Sequence, residues 1–180
     1  MSWDAQVLMW GFDRQFIHET GHALICLLLR LPFDGVAYDK TDPRFCTLVE
    51  LPSPEKYTED HYLFFAAGVA AERIVPCTDD PEQYKEGADA DRTLFPNDQS
   101  FEQAVSKATA ILAEHRAKIE VVRSALIKKA KGLKCKLDCL PERTANGHRY
   151  AVILNAQEIK DVLESSTALE SAERKTDQCH

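Results

Sequence analysis

The residues best suited to chemistry lie together at His18-Glu19-Thr20-Gly21-His22. They fit H-E-x-x-H, in which two histidines four residues apart share one helix face and can grip one metal ion. Glu19 follows the first histidine directly, and its longer side chain can reach a water at that ion. The pattern therefore predicts a zinc-dependent hydrolase: His18 and His22 as ligands, Glu19 as general base and Zn2+ as cofactor. Gly21 would weaken an exposed helix by about 1 kcal/mol relative to alanine, so its presence suits close packing behind a site.

A catalytic zinc needs a third protein ligand and an open position. The sequence offers His61, Glu72, Asp89, Asp91 and the acids of the loop at 76–87, namely Asp79, Asp80, Glu82 and Glu86. Glu72 has the merit of lying on a second expected helix. Asp91 stands in Gly87-Ala88-Asp89-Ala90-Asp91. Cys26 falls one turn beyond His22, but a thiol in an apolar helix is expected in the core. Cys135 and Cys139 have C-x-x-x-C spacing, unlike a zinc knuckle.

The metal helix should run from Asp13 to about Arg30, with Phe16, Ile17, Leu24, Ile25 and Leu28 on its buried side and Leu31-Pro32 ending it. Gly35–Tyr38 and Phe45–Leu51 flank a turn-rich segment and read as a β-hairpin. Helix returns from Thr58 to about Val75, where Gly68 permits close approach of a neighbouring backbone. A short segment from Ala88 stops before Pro96. A long helix is expected from Asp98 to Lys131, because Val105, Leu112, Ile119 and Leu126 recur every seven residues. Lys134–Leu140 and His148–Leu154 should pair around Ala145-Asn146-Gly147. A final helix is expected over Ala156–Glu164, with a flexible tail at 165–180. The fold class is thus mainly α (α+β), one domain over 1–164, with a small β-hairpin or sheet beside the H-E-x-x-H helix.

The 180 residues carry a net charge of −7, which disfavours broad nucleic-acid binding. Eight basic residues between Arg116 and Lys136 form an exception, read here as the solvated face of an amphipathic helix rather than a docking surface. The longest apolar run, Ala23–Leu29, is too short to span a bilayer, and Met1–Phe12 lacks the basic start of a secretory signal. These features predict a cytoplasmic protein with reduced cysteines and no membrane partner.

Three segments, HETGHAL at 18–24, AAGVAAERI at 66–74 and GADAD at 87–91, resemble in type and order the peptidase domain of the FtsH family of ATP-dependent zinc proteases. The resemblance covers about residues 12–135. It implies a zincin-like helical fold, zinc on His18, His22 and Asp91, Glu19 as base, and a supporting role for Glu72 in orienting the site. Glu86, Arg92 and Pro96 depart from the family pattern around the third segment. The sequence also holds no P-loop. A peptidase of this kind would act on flexible or unfolded polypeptides, alone or with a separate ATPase or adaptor. The competing expectation is a metal-stabilised binding protein without catalysis; an intact Glu19 favours the enzyme, since a structural site needs no base.

Overall fold

The computed structural model describes residues 13–42, 44–75, 85–132, 140, 142–145 and 147–177; at 85–88 and 168–177 it describes the backbone alone. The chain is mainly helical with one small antiparallel sheet, as the sequence predicts. In chain order the elements are α1 (Asp13–Leu29), β1 (Phe33–Asp39), β2 (Arg44–Val49), α2 (Glu59–Ile74), α3 (Lys85–Arg92) and α4 (Asp98–Ala113). They continue with α5 (Arg116–Gly132), β3 (Glu142–Ala145), β4 (His148–Asn155) and α6 (Ala156–Asp177); a 3-10 turn, Pro54–Lys56, precedes α2.

Helix α1 is the centre of the fold. Every residue from Phe16 to Cys26 is buried, because α2, α5 and the sheet all pack on it. It ends as expected before Pro32. Arg30 takes a left-handed conformation (φ 59°) and the Leu31 N–H bonds the Cys26 carbonyl at 2.9 Å, closing the last turn. Small residues set the spacing to α2. A Cβ on Gly21 would overlap the Ala67 carbonyl and lie 2.7 Å from the Ala71 side chain, and Ala66, Ala67, Ala70 and Ala71 are wholly buried. Glycine inside α1 therefore serves close helix contact, at the expense of local propensity.

The two expected hairpins prove to be one sheet of order β2-β1-β4-β3. Strand β1 pairs with β2 on one side and with β4 on the other, both antiparallel. Local patterning could not reveal that pairing, since it joins residues more than 100 positions apart. The strand expected at Lys134–Leu140 lies at Glu142–Ala145 instead; residues 134–139 fall outside the described residues. Ala145 pairs with His148, so β3 and β4 are antiparallel neighbours at the expected turn.

Two further boundaries differ from the sequence reading. The helix expected from Asp98 to Lys131 is two helices, broken at Glu114-His115, where His115 and Lys118 make i→i−3 bonds to Leu112 and His115. The break lets α4 pack chiefly on α2 and α5 on α1. Val105, Leu112, Ile119 and Leu126 all stay fully buried, so the seven-residue interval survives the bend and conceals it. The last helix continues past Glu164 to Asp177. It starts directly after β4 because Asn155 and Glu158 cap it reciprocally, each side chain accepting the other's backbone N–H at 2.9 Å. The basic residues of α5 are partly consumed by ion pairs: Arg123 with Asp13 and Glu120, Lys129 with Glu158. Trp3, Trp10, Cys77, Cys135, Cys139, Cys179 and residues 76–84 of the expected acidic loop lie outside the described residues, whereas 85–87, expected in that loop, form the first turn of α3. Cys26 and Cys46 are free thiols.

The β1–β2 turn is organised by Asp39, a buried carboxylate. It accepts from the N–H groups of Thr41 (2.8 Å) and Asp42 (3.2 Å) and from His148 Nδ1 (2.6 Å). Burial opposes its charge, but these donors outweigh it and hold its pKa below the ordinary aspartate range. The stability supplied by the charged form is complete above about pH 4 and is lost as pH falls through the lower folded value. Asp39→Asn is expected to lose about 1–3 kcal/mol at neutral pH. Its further loss on acidification should be shallower than that of the wild type in urea unfolding followed from about pH 7 to pH 2. An unchanged acid limb would remove Asp39 as its source.

Candidate metal centre

The helical spacing of four places the His18 and His22 rings together on α1, with their Nε2 atoms 3.0 Å apart. Asp91 comes from α3, and its Oδ2 lies 3.1 Å from His18 Nε2 and 3.5 Å from His22 Nε2. Four ligands around zinc at about 2.0–2.1 Å stand about 3.3 Å from one another, so the three observed separations bracket the tetrahedral edge. Among the described residues, this is the group of His, Cys, Asp and Glu side chains whose donor atoms converge closely enough to hold a metal ion.

The other nitrogen of each ring decides what points inward. His22 Nδ1 is 2.7 Å from the Phe64 carbonyl, which can only accept, so Nδ1 must carry the hydrogen. His18 Nδ1 lies 2.8 Å from Glu72 Oε1 and donates to that carboxylate. With both rings neutral, the Nε2 lone pairs would face each other and a carboxylate oxygen. Asp91 Oδ2 is itself buried and makes no hydrogen bond. Three electron-rich atoms so placed repel one another unless positive charge lies between them. The residues present thus fit a divalent cation that accepts imidazole and carboxylate ligands, as zinc does.

Proton chemistry gives the same picture. Burial alone would lower the pKa of His18, but Asp91 and Glu72 outweigh it and raise it well above the usual histidine range. Burial would raise Asp91, yet the two imidazoles hold it below the usual aspartate range. The cluster therefore retains a proton on His18 beside the Asp91 carboxylate, and a bound cation would take the place of that proton.

Glu72 sits where α2 faces α1. Its carboxylate accepts from His18 Nδ1 and, at 2.6 Å, from Arg14 Nε, so it orients the His18 ring instead of entering the ligand cluster. Gly68, one turn before Glu72, makes room for that ring, since a Cβ there would overlap it. The sequence reading anticipated a close approach at Gly68; the structure identifies a histidine ring as what approaches.

Glu19 is buried beside the cluster, and burial raises its pKa despite the opposing pull of His22, His18 and Thr47. Its Oε2 lies 2.9 Å from Thr47 Oγ1 on β2, and the Glu19 carbonyl lies 3.1 Å from the same hydroxyl, which donates to one of the two. Thr47, like Arg14 beside Glu72, is a polar neighbour of the site that sequence reasoning missed. No motif marks it, and only the packing of β2 against α1 brings it there.

The remaining candidates stand elsewhere. His61 caps α2, accepting the Thr58 N–H at 3.0 Å, and its ring stacks on Tyr57. Asp89 is exposed and outside the cluster, and His115 is half-buried at the α4–α5 break. His148 belongs to the Asp39 turn. Cys26 is wholly buried and its thiol is pushed up to about 12 by burial, as befits a core side chain. The acids at 79–82 lie outside the described residues, and the Glu86 side chain is not described.

All three donors and Glu19 line a cleft of about 440 Å3 between α1, α3 and the outer strand β2. Removing the group that orients His18 gives a direct test. Glu72→Ala should weaken zinc binding about 10- to 100-fold in a competitive chelator titration. Gly68→Ala should do likewise by displacing the same ring. Wild-type affinity in both variants would show that His18 takes no part.

Compared with protein-family models, with curated proteins and with solved structures, the chain gives no match.

Proposed function

We propose that this protein is a zinc-dependent metallopeptidase, as its resemblance to the FtsH peptidase domain implies. The observation that carries the reading is the convergence of Asp91 Oδ2, a buried oxygen without a hydrogen bond, on the Nε2 atoms of His18 and His22 at 3.1 and 3.5 Å. His18, His22 and Asp91 would hold the ion, with Glu72 keeping His18 in the tautomer that presents Nε2. Zinc bound there would supply Lewis acidity toward a water molecule and a scissile carbonyl.

The remaining work falls to the chain. Glu19 lies beside the cluster with a pKa raised by burial, which suits a base that takes a proton from attacking water. The same carboxyl then returns the proton to the departing amine nitrogen. The Thr47 hydroxyl, 2.9 Å from Glu19 Oε2, is placed to hold that carboxylate by donating to it. A purely structural metal site would need neither group.

The substrate lies extended along β2 in this reading. That strand is the outer one of the sheet, and the Phe45 N–H turns away from β1 toward Gln15 Oε1 at 3.4 Å. With a period of two, Thr47 and Val49 turn their backbone groups the same way, into the cleft, where a polypeptide can add as a further strand. In this reading substrates arrive as flexible segments or are delivered by an ATPase or adaptor; these 180 residues contain no P-loop. No helix among the described residues is long and apolar enough to cross a membrane, consistent with the proposed cytoplasmic location.

Glu19→Gln tests the reading. The variant should keep one zinc per chain while cleavage of an unfolded, labelled polypeptide falls at least about 100-fold. Zinc-loaded wild type that cleaves no unstructured chain would refute the peptidase assignment and leave a metal-stabilised binding protein. Thr47→Val should lower kcat by about tenfold with KM and zinc affinity unchanged, and Thr47→Ser should restore it. A change in KM alone would assign Thr47 to substrate binding instead.

A further inference from the structure

Leu51 and Leu94 are the two large apolar side chains exposed among the described residues, at 39% and 41%. A single exposed leucine is ordinary. These two, however, line the same cleft, the one that contains His18, Glu19, His22 and Asp91. They reach it from different walls. Leu51 follows the end of β2, and Leu94 follows α3, three residues after Asp91. Val49 continues the apolar surface on the strand side, and Phe64 and Phe65 on α2 form its buried floor.

The opposite end of the cleft is different in kind. Gln15, Asp42 and Arg44 gather where β2 begins, with Arg44 and Asp42 paired at 3.2 Å and both largely exposed. Thr47, against Glu19, lies between the two ends. At about 3.3 Å per residue, Arg44 stands about 10 Å to one side of Thr47 and Leu51 about 13 Å to the other. A polypeptide added beside β2 advances at the same rate. Its residues on one side of the scissile bond would therefore meet an apolar wall, and those on the other side a polar one.

Resting on the peptidase reading above, we infer that the cleft selects polypeptide segments with a large apolar residue on one defined side of the scissile bond. That residue lies within about four positions of the bond, seated between Leu51 and Leu94. The other side of the bond takes polar residues. The occupant is an extended polypeptide because the cleft wall between the two ends is the outer strand of the sheet, with which no further strand among the described residues pairs, and the outward backbone groups of Thr47 and Val49 suit another backbone. Leu51 and Leu94 are specificity residues and touch no reacting atom. Segments of this kind are covered in folded proteins and exposed in unfolded ones.

The test scans one leucine through an otherwise polar, unstructured peptide. Zinc-loaded wild type is followed by mass spectrometry of its cleavage products, and zinc-loaded Glu19→Gln by fluorescence anisotropy of labelled peptide. Leucine within four positions on one side of the bond should raise kcat/KM about tenfold over the all-polar parent, and on the other side should not. Leu51→Lys, Leu94→Lys and the double variant should lose that advantage while zinc content and circular dichroism remain those of wild type; both positions are exposed, so the fold does not depend on them. An all-polar peptide cleaved equally well would overturn the inference, as would an advantage that persists in the double variant. If wild type cleaves nothing but the binding preference appears and depends on Leu51 and Leu94, the peptidase reading falls and the assignment of the cleft stands. Absence of preference in both assays overturns the assignment itself.

Discussion

Burying two histidines and a glutamate on one helix is the constraint around which this protein is built. Each of those side chains leaves water with polar edges that need partners, and an unpaired buried polar group costs on the order of 1–3 kcal/mol. Helix α1 cannot answer them itself, because its own backbone groups are committed to the helix. Partners come from three other elements: the Phe64 carbonyl and Glu72 on α2, Thr47 on β2, and Asp91 on α3. Nε2 of both rings and Oδ2 of Asp91 are left over, and their convergence is the site. The polar surplus of α1 is concentrated at one point, as a metal centre requires.

Bringing those partners close enough requires small residues. Gly21 lets α1 meet the Ala67 carbonyl and the Ala71 side chain of α2, and Gly68 leaves the volume that the His18 ring fills. The alanines between them keep the two helices near enough for Glu72 to reach His18. The same residues serve packing and the candidate site, so stability and the geometry of that site are coupled: a methyl group added at Gly68 presses directly on the His18 ring. The sheet acts at one remove. Its outer strand supplies Thr47 to hold Glu19, and its open edge forms the wall along which the cleft changes from polar to apolar. The Asp39 turn fixes where that strand begins.

Much of the site was legible in the residues because its core is local. His18, Glu19 and His22 are separated by helical geometry alone, so their juxtaposition follows once α1 forms. The helix boundaries of α1 and α2 were legible for the same reason, being set by Pro32 and by apolar spacing. Asp91 was one of several acids until a resemblance to a known family singled it out. Elsewhere local pattern misled. The seven-residue interval across α4 and α5 describes a continuous helix equally well, because the bend at His115 keeps the same residues buried.

The sequence by itself determined the histidine pair, the neighbouring carboxylate and the small residues that let two helices touch, since each depends on spacing within one element. Tertiary structure decided which carboxylate completes the cluster and which one steadies a ring. It also decided that Thr47 meets Glu19, that four strands form one sheet, and that Leu51 and Leu94 share a cleft. Those outcomes depend on which surfaces pack together, and residues such as Thr47 and Glu19, 28 positions apart, carry no local mark of the partner that packing assigns them.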